Sequence, residues 1–224
     1  MSTTTAVASR VVRVASAIRG ERVIHAKGHA FAATLELLDG SADLAVPLVR
    51  GPRERPAVVR FSRGAGLPDL LPDVLGLAVR VPDADGDGGV QDLLLSTSGR
   101  PLIVRHLPWP SRDLLRSTYS SLTSFEIGPH RRLVGACGAH RTHGARRPAD
   151  VPSGRMLLAT AAGRGPWEPF ARLTLHDPLP GERDLEFSPA NDAGGFVAVG
   201  PFAEARAASY PASRSVESEA VSGR

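Results

Sequence analysis

Three stretches of the chain carry side chains suited to chemistry. In Arg22-Val-Ile-His25-Ala-Lys27-Gly28-His-Ala-Phe31 a histidine and a lysine interrupt what otherwise reads as a core strand. Burying an imidazole or an ammonium with no partner is costly, so both groups need a reason to be there. In Val58-Val59-Arg60-Phe61-Ser62 the period-two alternation of a strand puts Arg60 and Ser62 on one face. In Arg206-Ala-Ala-Ser-Tyr210 an arginine stands one helical turn before a phenol, close enough for guanidinium and hydroxyl to touch. The alternative account of that last pair is a surface-helix tyrosine, since a single i,i+4 spacing is common.

Two other clusters are weaker. Asp83-Ala-Asp85-Gly-Asp87-Gly88 copies the first half of a calcium loop, but its twelfth position is Leu94 where a bidentate carboxylate belongs. Because it joins two strand patterns, a polar hairpin turn with no calcium dependence is the better reading. Cys137, His140 and His143 would offer zinc three ligands amid arginines that repel a cation, so a solvated loop is the expectation there.

The scaffold must come from an ordinary globular chain: 224 residues, 42% hydrophobic, 22% charged, with a formal net charge of +4. A domain this long builds a full core without metal or disulfide staples. The single Cys137 leaves no internal disulfide, and a cytoplasmic location follows. The calculated pI of about 10.1 reflects arginine in place of lysine, Lys27 being the one lysine. Those arginines run from Arg10 to Arg224 without concentrating on one segment, which argues against nucleic acid as a partner. No apolar run reaches the length of a membrane span, and Arg10, Arg13 and Arg19 break up the apolar start expected of a signal peptide.

Val7, Val11, Val14 and Ile18 have helical spacing, which predicts an amphipathic helix within an arm over 1–20. From there a single domain over 21–217 is expected, followed by a flexible tail at 218–224. Phe31, Ala33, Leu35 and Leu37 alternate with Thr34 and Glu36, and Leu75, Leu77, Val79 and Val81 repeat the pattern. Further strand-like runs fall at 57–63, 90–96, 101–106, 155–161, 170–176 and 184–188, with Gly and Pro between them. Many short strands at this spacing predict an antiparallel β-barrel with peripheral helices, a mainly β, α+β fold. Helices are expected over 111–126 and 201–217, and a long surface excursion over 128–153.

These segments resemble, in order, the motifs of the catalase superfamily of heme proteins, in particular its small catalase-related members. Residues 22–28 are similar to Arg-Val-(Val/Ile)-His-Ala-Lys-Gly, and residues 59–62 to Val-Arg-Phe-Ser. Asp73 to Val81, including Gly76 and Ala78, resembles the Asp-x-x-Gly-x-Ala-x-(Lys/Arg) strand, Leu185 to Asn191 the segment before the proximal helix, and Arg206-x-x-x-Tyr210-Pro211 that helix's iron-binding signature.

The resemblance implies heme as cofactor, held between the barrel's inner face and the 201–215 helix. It implies His25 as distal histidine, Ser62 as its hydrogen-bond partner, Tyr210 as the iron's axial ligand, Arg206 stabilising the tyrosinate, and Arg22 and Arg60 facing the propionates. A free phenol is only about one part in a thousand ionised at neutral pH. A neighbouring arginine lowers its pKa by roughly 1 to 3 units, and the iron's charge completes the deprotonation. The family's distal Asn is missing from Asp92-Leu-Leu-Leu-Ser-Thr-Ser-Gly-Arg-Pro101, leaving Ser96, Thr97 or Ser98 as weaker donors, and Glu217 stands where the family has a further Arg. The implied activity is therefore turnover of hydrogen peroxide or organic hydroperoxides with poor dismutation. A homo-oligomer is compatible with it. The alternative is a non-catalytic barrel that holds heme or an apolar ligand as sensor or carrier.

Overall fold

The computed structural model describes residues 28–64, 71–99, 102, 104–139, 144–151, 154–180 and 185–200. Arg22, His25, Arg206 and Tyr210 lie outside the described residues, as do the expected N-terminal helix, the helix over 201–217 and the tail.

Ten strands follow one another: β1 (His29–Leu37), β2 (Glu54–Arg63), β3 (Leu75–Val81), β4 (Gln91–Thr97), β5 (Thr118–Ser120), β6 (Ser124–Ile127), β7 (His130–Gly138), β8 (Arg155–Ala162), β9 (Glu168–Pro178) and β10 (Phe196–Val199). The order β7-β5-β4-β3-β2-β1-β9-β8 is closed by pairing of β8 back onto β7, which makes an eight-strand antiparallel barrel. Closure leaves these eight strands without an unpaired edge. β6 and β10 extend the first half of β7 as a short flap. A four-residue helix, α1 (Pro47–Arg50), is the one α-helix among the described residues.

Alternation decides which side chains fill the barrel. On β1 to β4 the odd-numbered positions Phe31, Leu35, Val59, Phe61, Leu75, Leu77, Val79, Leu93 and Leu95 are buried and belong to one core cluster. Phe31 and Phe61 meet edge to face with ring centroids 6.1 Å apart. These side chains pack the interior of the barrel. The even-numbered positions, with Arg60 and Ser62 among them, lie on the outer face. Arg60 and Ser62 therefore do not line the inner face, against which the ligand was expected.

Four other expectations change. Residues 111–126 are turns followed by β5 and β6, because Asp113 Oδ1 accepts the N–H groups of Leu115 and Arg116 in an Asx turn before any helix can propagate. The supposed excursion at 128–153 contains β7, a barrel strand whose Val134 and Ala136 reach the core. The strand expected at 101–106 is replaced by a turn at Leu102 and a 3-10 turn, Val104–His106. Residues 185–188 pair with no strand; Glu186 and Ser188 give their backbone groups to the side chains of Arg80 and Asp92 instead.

The Asp83–Gly88 stretch is the β3–β4 connection, as expected. Asp85 Oδ1 accepts the N–H groups of Asp87 and Gly89, which holds its carboxyl below the usual aspartate range. Asp83, Gly86 and Gly88 take positive φ to make the turn.

Candidate functional site

The register across β1 to β4 arranges the outer face in three rows. The row nearest the start of β1 contains Ser62, Gly76 and Ser96, with Gly28 next to Ser62 by continuation of the β1–β2 register. The second row is Ala30, Arg60, Ala78 and Leu94, and the third is Ala32, Val58, Arg80 and Asp92. At about 4.8 Å between strands, the four-strand face is about 14 Å wide. Most of these positions are half-buried.

Small residues in the first row make room for the two motif side chains. A Cβ on residue 76 would overlap Ser62 Oγ, so the serine hydroxyl lies across the space that Gly76 leaves open. A Cβ on residue 28 would stand 2.7 Å from Arg60 Nε and 2.8 Å from the Phe61 carbonyl oxygen. The two motif glycines are thus steric clearances for the two side chains that the sequence singled out. Arg60 Nε is buried and has no hydrogen-bond partner among the described residues. A buried donor left unmade is expensive, so an acceptor placed there would be favourable.

The third row has its acceptor already. Asp92, fully buried, receives Arg80 through Nε at 2.8 Å and a terminal nitrogen at 2.7 Å, a bidentate pair. Its carboxylate also accepts the Ser188 N–H and Asn191 Nδ2, each at 2.8 Å. Arg80 donates to the Glu186 carbonyl and lies 4.8 Å from the centroid of the Phe187 ring. These contacts fasten residues 186–191 across the outside of β3 and β4 as a strap that borders the open part of the face. The motif around Leu185 to Asn191 therefore has a structural reason that its composition did not reveal.

Of the three donors considered in place of the family's asparagine, Thr97 is excluded by geometry. It is buried on the inner side, and its Oγ1 accepts the Leu75 N–H at 3.0 Å. Ser96 remains on the outer face beside Gly76. Ser98 is 7% exposed, and its hydroxyl oxygen has no partner among the described residues. His29 shares the face of its neighbour Phe61, opposite to Ser62.

Tyr119, the chain's other tyrosine, is fully buried in the core and donates its hydroxyl to the Leu114 carbonyl at 2.7 Å. Burial, and secondarily the charge of Asp113, push its phenol well above the ordinary range. It stays a neutral structural donor at physiological pH. Among the described residues no group of three or more His, Cys, Asp or Glu side chains is arranged to hold a metal ion, and no helix is long and apolar enough to cross a membrane. Cys137 is exposed on β7, while His140 and His143 lie outside the described residues.

No family model and no curated protein matches the chain. Solved structures do. Catalase A from Saccharomyces cerevisiae is similar with a TM-score of 0.63 at 13% identity, the match covering 85% of this chain and 60% of that one. A fungal catalase gives a TM-score of 0.64 at 13% identity, covering 85% of this chain and 58% of that one. The fold is catalase-like, and the chain matches less than two thirds of the length of either neighbour.

Proposed function

We propose that the chain binds heme on the outer face of β1 to β4 and uses it in reactions of hydrogen peroxide or organic hydroperoxides. The observation that supports this best is the pairing of each motif side chain with a motif glycine, Arg60 over Gly28 and Ser62 over Gly76. The small side chains of Ala30 and Ala32 on β1 and of Gly76 and Ala78 on β3 leave space on either side of β2 for a planar ring, and the unpartnered Arg60 Nε suits a ring carboxylate. The described residues therefore fit the group that the fold suggests.

When bound, heme would supply the redox-active iron at which the oxygen–oxygen bond is broken. The chain's own residues have separate tasks. Arg60, with Arg22, neutralises carboxylates at the edge of the ring. Ser62 holds the imidazole of His25 in one tautomer by a hydrogen bond. His25 takes the proton from one peroxide oxygen and returns it to the other, general base and then general acid. Arg206 lowers the pKa of the Tyr210 phenol, so that a phenolate serves as ligand. Thr97 takes no part, which leaves Ser96 or Ser98 to orient the peroxide where catalases use an amide. Hydroperoxide turnover with poor dismutation is the activity this arrangement favours.

The test is His25→Ala with heme titration alongside. Turnover should fall by about 10² to 10⁴ while heme loading stays at the wild-type level. Loss of heme in this variant would make His25 structural or itself the ligand.

A further inference from the structure

A second cleft lies on another flank of the barrel. After β4 the chain passes through the Val104–His106 turn and reaches the β8–β9 connection, where Arg105 donates to the Gly165 carbonyl at 3.1 Å and to the Gly163 carbonyl. Its guanidinium stacks 5.7 Å from the centroid of the Trp167 ring. The two turns enclose a cleft of about 390 Å³ lined by Leu102, His106, Leu107, Gly163 and Arg164. In strand order it is separated from the β4 edge of the first site by β5 and β7.

Two properties of this cleft point to one kind of occupant. Its apolar wall is open: Leu102 is 48% exposed and Leu107 46% exposed, an arrangement that favours apolar contact. Its positive charge has no acidic partner among the described residues. Arg105 is 2% exposed with only backbone carbonyls as acceptors, no acidic side chain among the described residues pairs with it, and its Nε is buried without a partner. Arg164 stands exposed at the rim, and no acid lines the cleft among the described residues. A buried cation without a counter-ion raises the potential of the cleft beside it.

We propose that this cleft binds a small amphipathic carboxylate, its alkyl tail along Leu102 and Leu107 and its carboxylate at Arg164. The volume is at the lower end of small-molecule sites, which limits the tail to a short or medium alkyl chain. A hydrocarbon alone leaves the cations unmatched, and an inorganic anion leaves the leucines exposed.

Calorimetric titration of the full chain with hexanoate, heptanoate, octanoate and octan-1-ol tests the site without heme, so its outcome is independent of the function proposed above. Affinity should rise by up to about fourfold per added methylene, the fold-change expected for one buried CH₂ group. Octanol should bind more weakly than octanoate. Arg164→Glu should weaken octanoate about fivefold, and Leu107→Ser should lower the gain per methylene. Arg105 is left intact because it holds the turn. Absence of saturable carboxylate binding would overturn the proposal. So would equal affinity for octanol, binding untouched by both variants, or a dimer in sedimentation that Leu107→Ser dissociates, which would assign the cleft to a second copy of the chain.

Discussion

Ser62 Oγ lies over Gly76 on the neighbouring strand, in the space where any other residue's Cβ would be. The obstructing atom is the end of a rotatable side chain, so Gly76→Ala can be accommodated by swinging the serine away. Stability should change by less than about 1 kcal/mol, while hydroperoxide turnover falls to the level of Ser62→Ala. The double variant should be no worse than either single one, because both remove the same hydroxyl. Circular-dichroism melting and steady-state kinetics on the variants check this. Additive losses would mean that Gly76 acts by some other route.

This relationship also shows how far the sequence was legible. Alternation in β1 to β4 identified the strands, the shared face of Arg60 and Ser62, and a closed antiparallel sheet. It could not say which face turned inward, because parity fixes only that Phe61 and Ser62 point opposite ways. Packing decided that: Phe61, Val59 and Leu77 fill the barrel and leave Ser62 outside. The 111–126 stretch was misread because Asp113 captures backbone N–H groups through its side chain, an interaction that helical propensity does not weigh. β7 was hidden by its arginines and by Gly135, whose missing side chain gives room to the Trp167 ring. The strap at 186–191 has no periodicity to detect, since side chains 96 and more positions away satisfy its backbone.

Arg60 separates binding from stability. Its Nε has no partner among the described residues, so Arg60→Met should leave the melting temperature unchanged or raise it. Heme affinity should drop about tenfold, the loss expected for one charged hydrogen bond, and become less sensitive to salt. A stability loss with unchanged heme affinity would show that the guanidinium serves the fold.

Asp92 is the opposite case. Asp92→Asn leaves Arg80 without its counter-charge under the strap and should cost about 3 kcal/mol in chemical denaturation. Replacing both partners, Arg80→Met with Asp92→Leu, should recover part of that loss. A double variant as unstable as Asp92→Asn alone would place the cost in the lost Ser188 and Asn191 hydrogen bonds instead.

Asp85 supplies a pH signature. Its carboxyl is held below the usual value of 3.8 by backbone N–H groups, so the charged form is favoured in the fold. Its contribution is complete above the unfolded-state value and disappears as pH falls through the lower folded-state value. Wild type should therefore melt above Asp85→Asn at neutral pH, with the gap closing only in strong acid. Millimolar calcium should leave both melting curves where they are, since Leu94 occupies the position of the missing ligand. A constant gap at all pH values would remove the charge from the explanation.

The proposed ligation of heme by Tyr210 is tested by a heme titration of wild type and Tyr210→Phe followed by absorption. Phe keeps the ring and loses only the oxygen, and Tyr119 cannot substitute because its hydroxyl is committed to Leu114 inside the core. Wild type should saturate at about one heme per chain with the spectrum of a ferric phenolate complex, and Tyr210→Phe should lose that spectrum and bind heme far more weakly. Failure of the wild-type chain to bind heme, or identical spectra from the two proteins, would contradict the account.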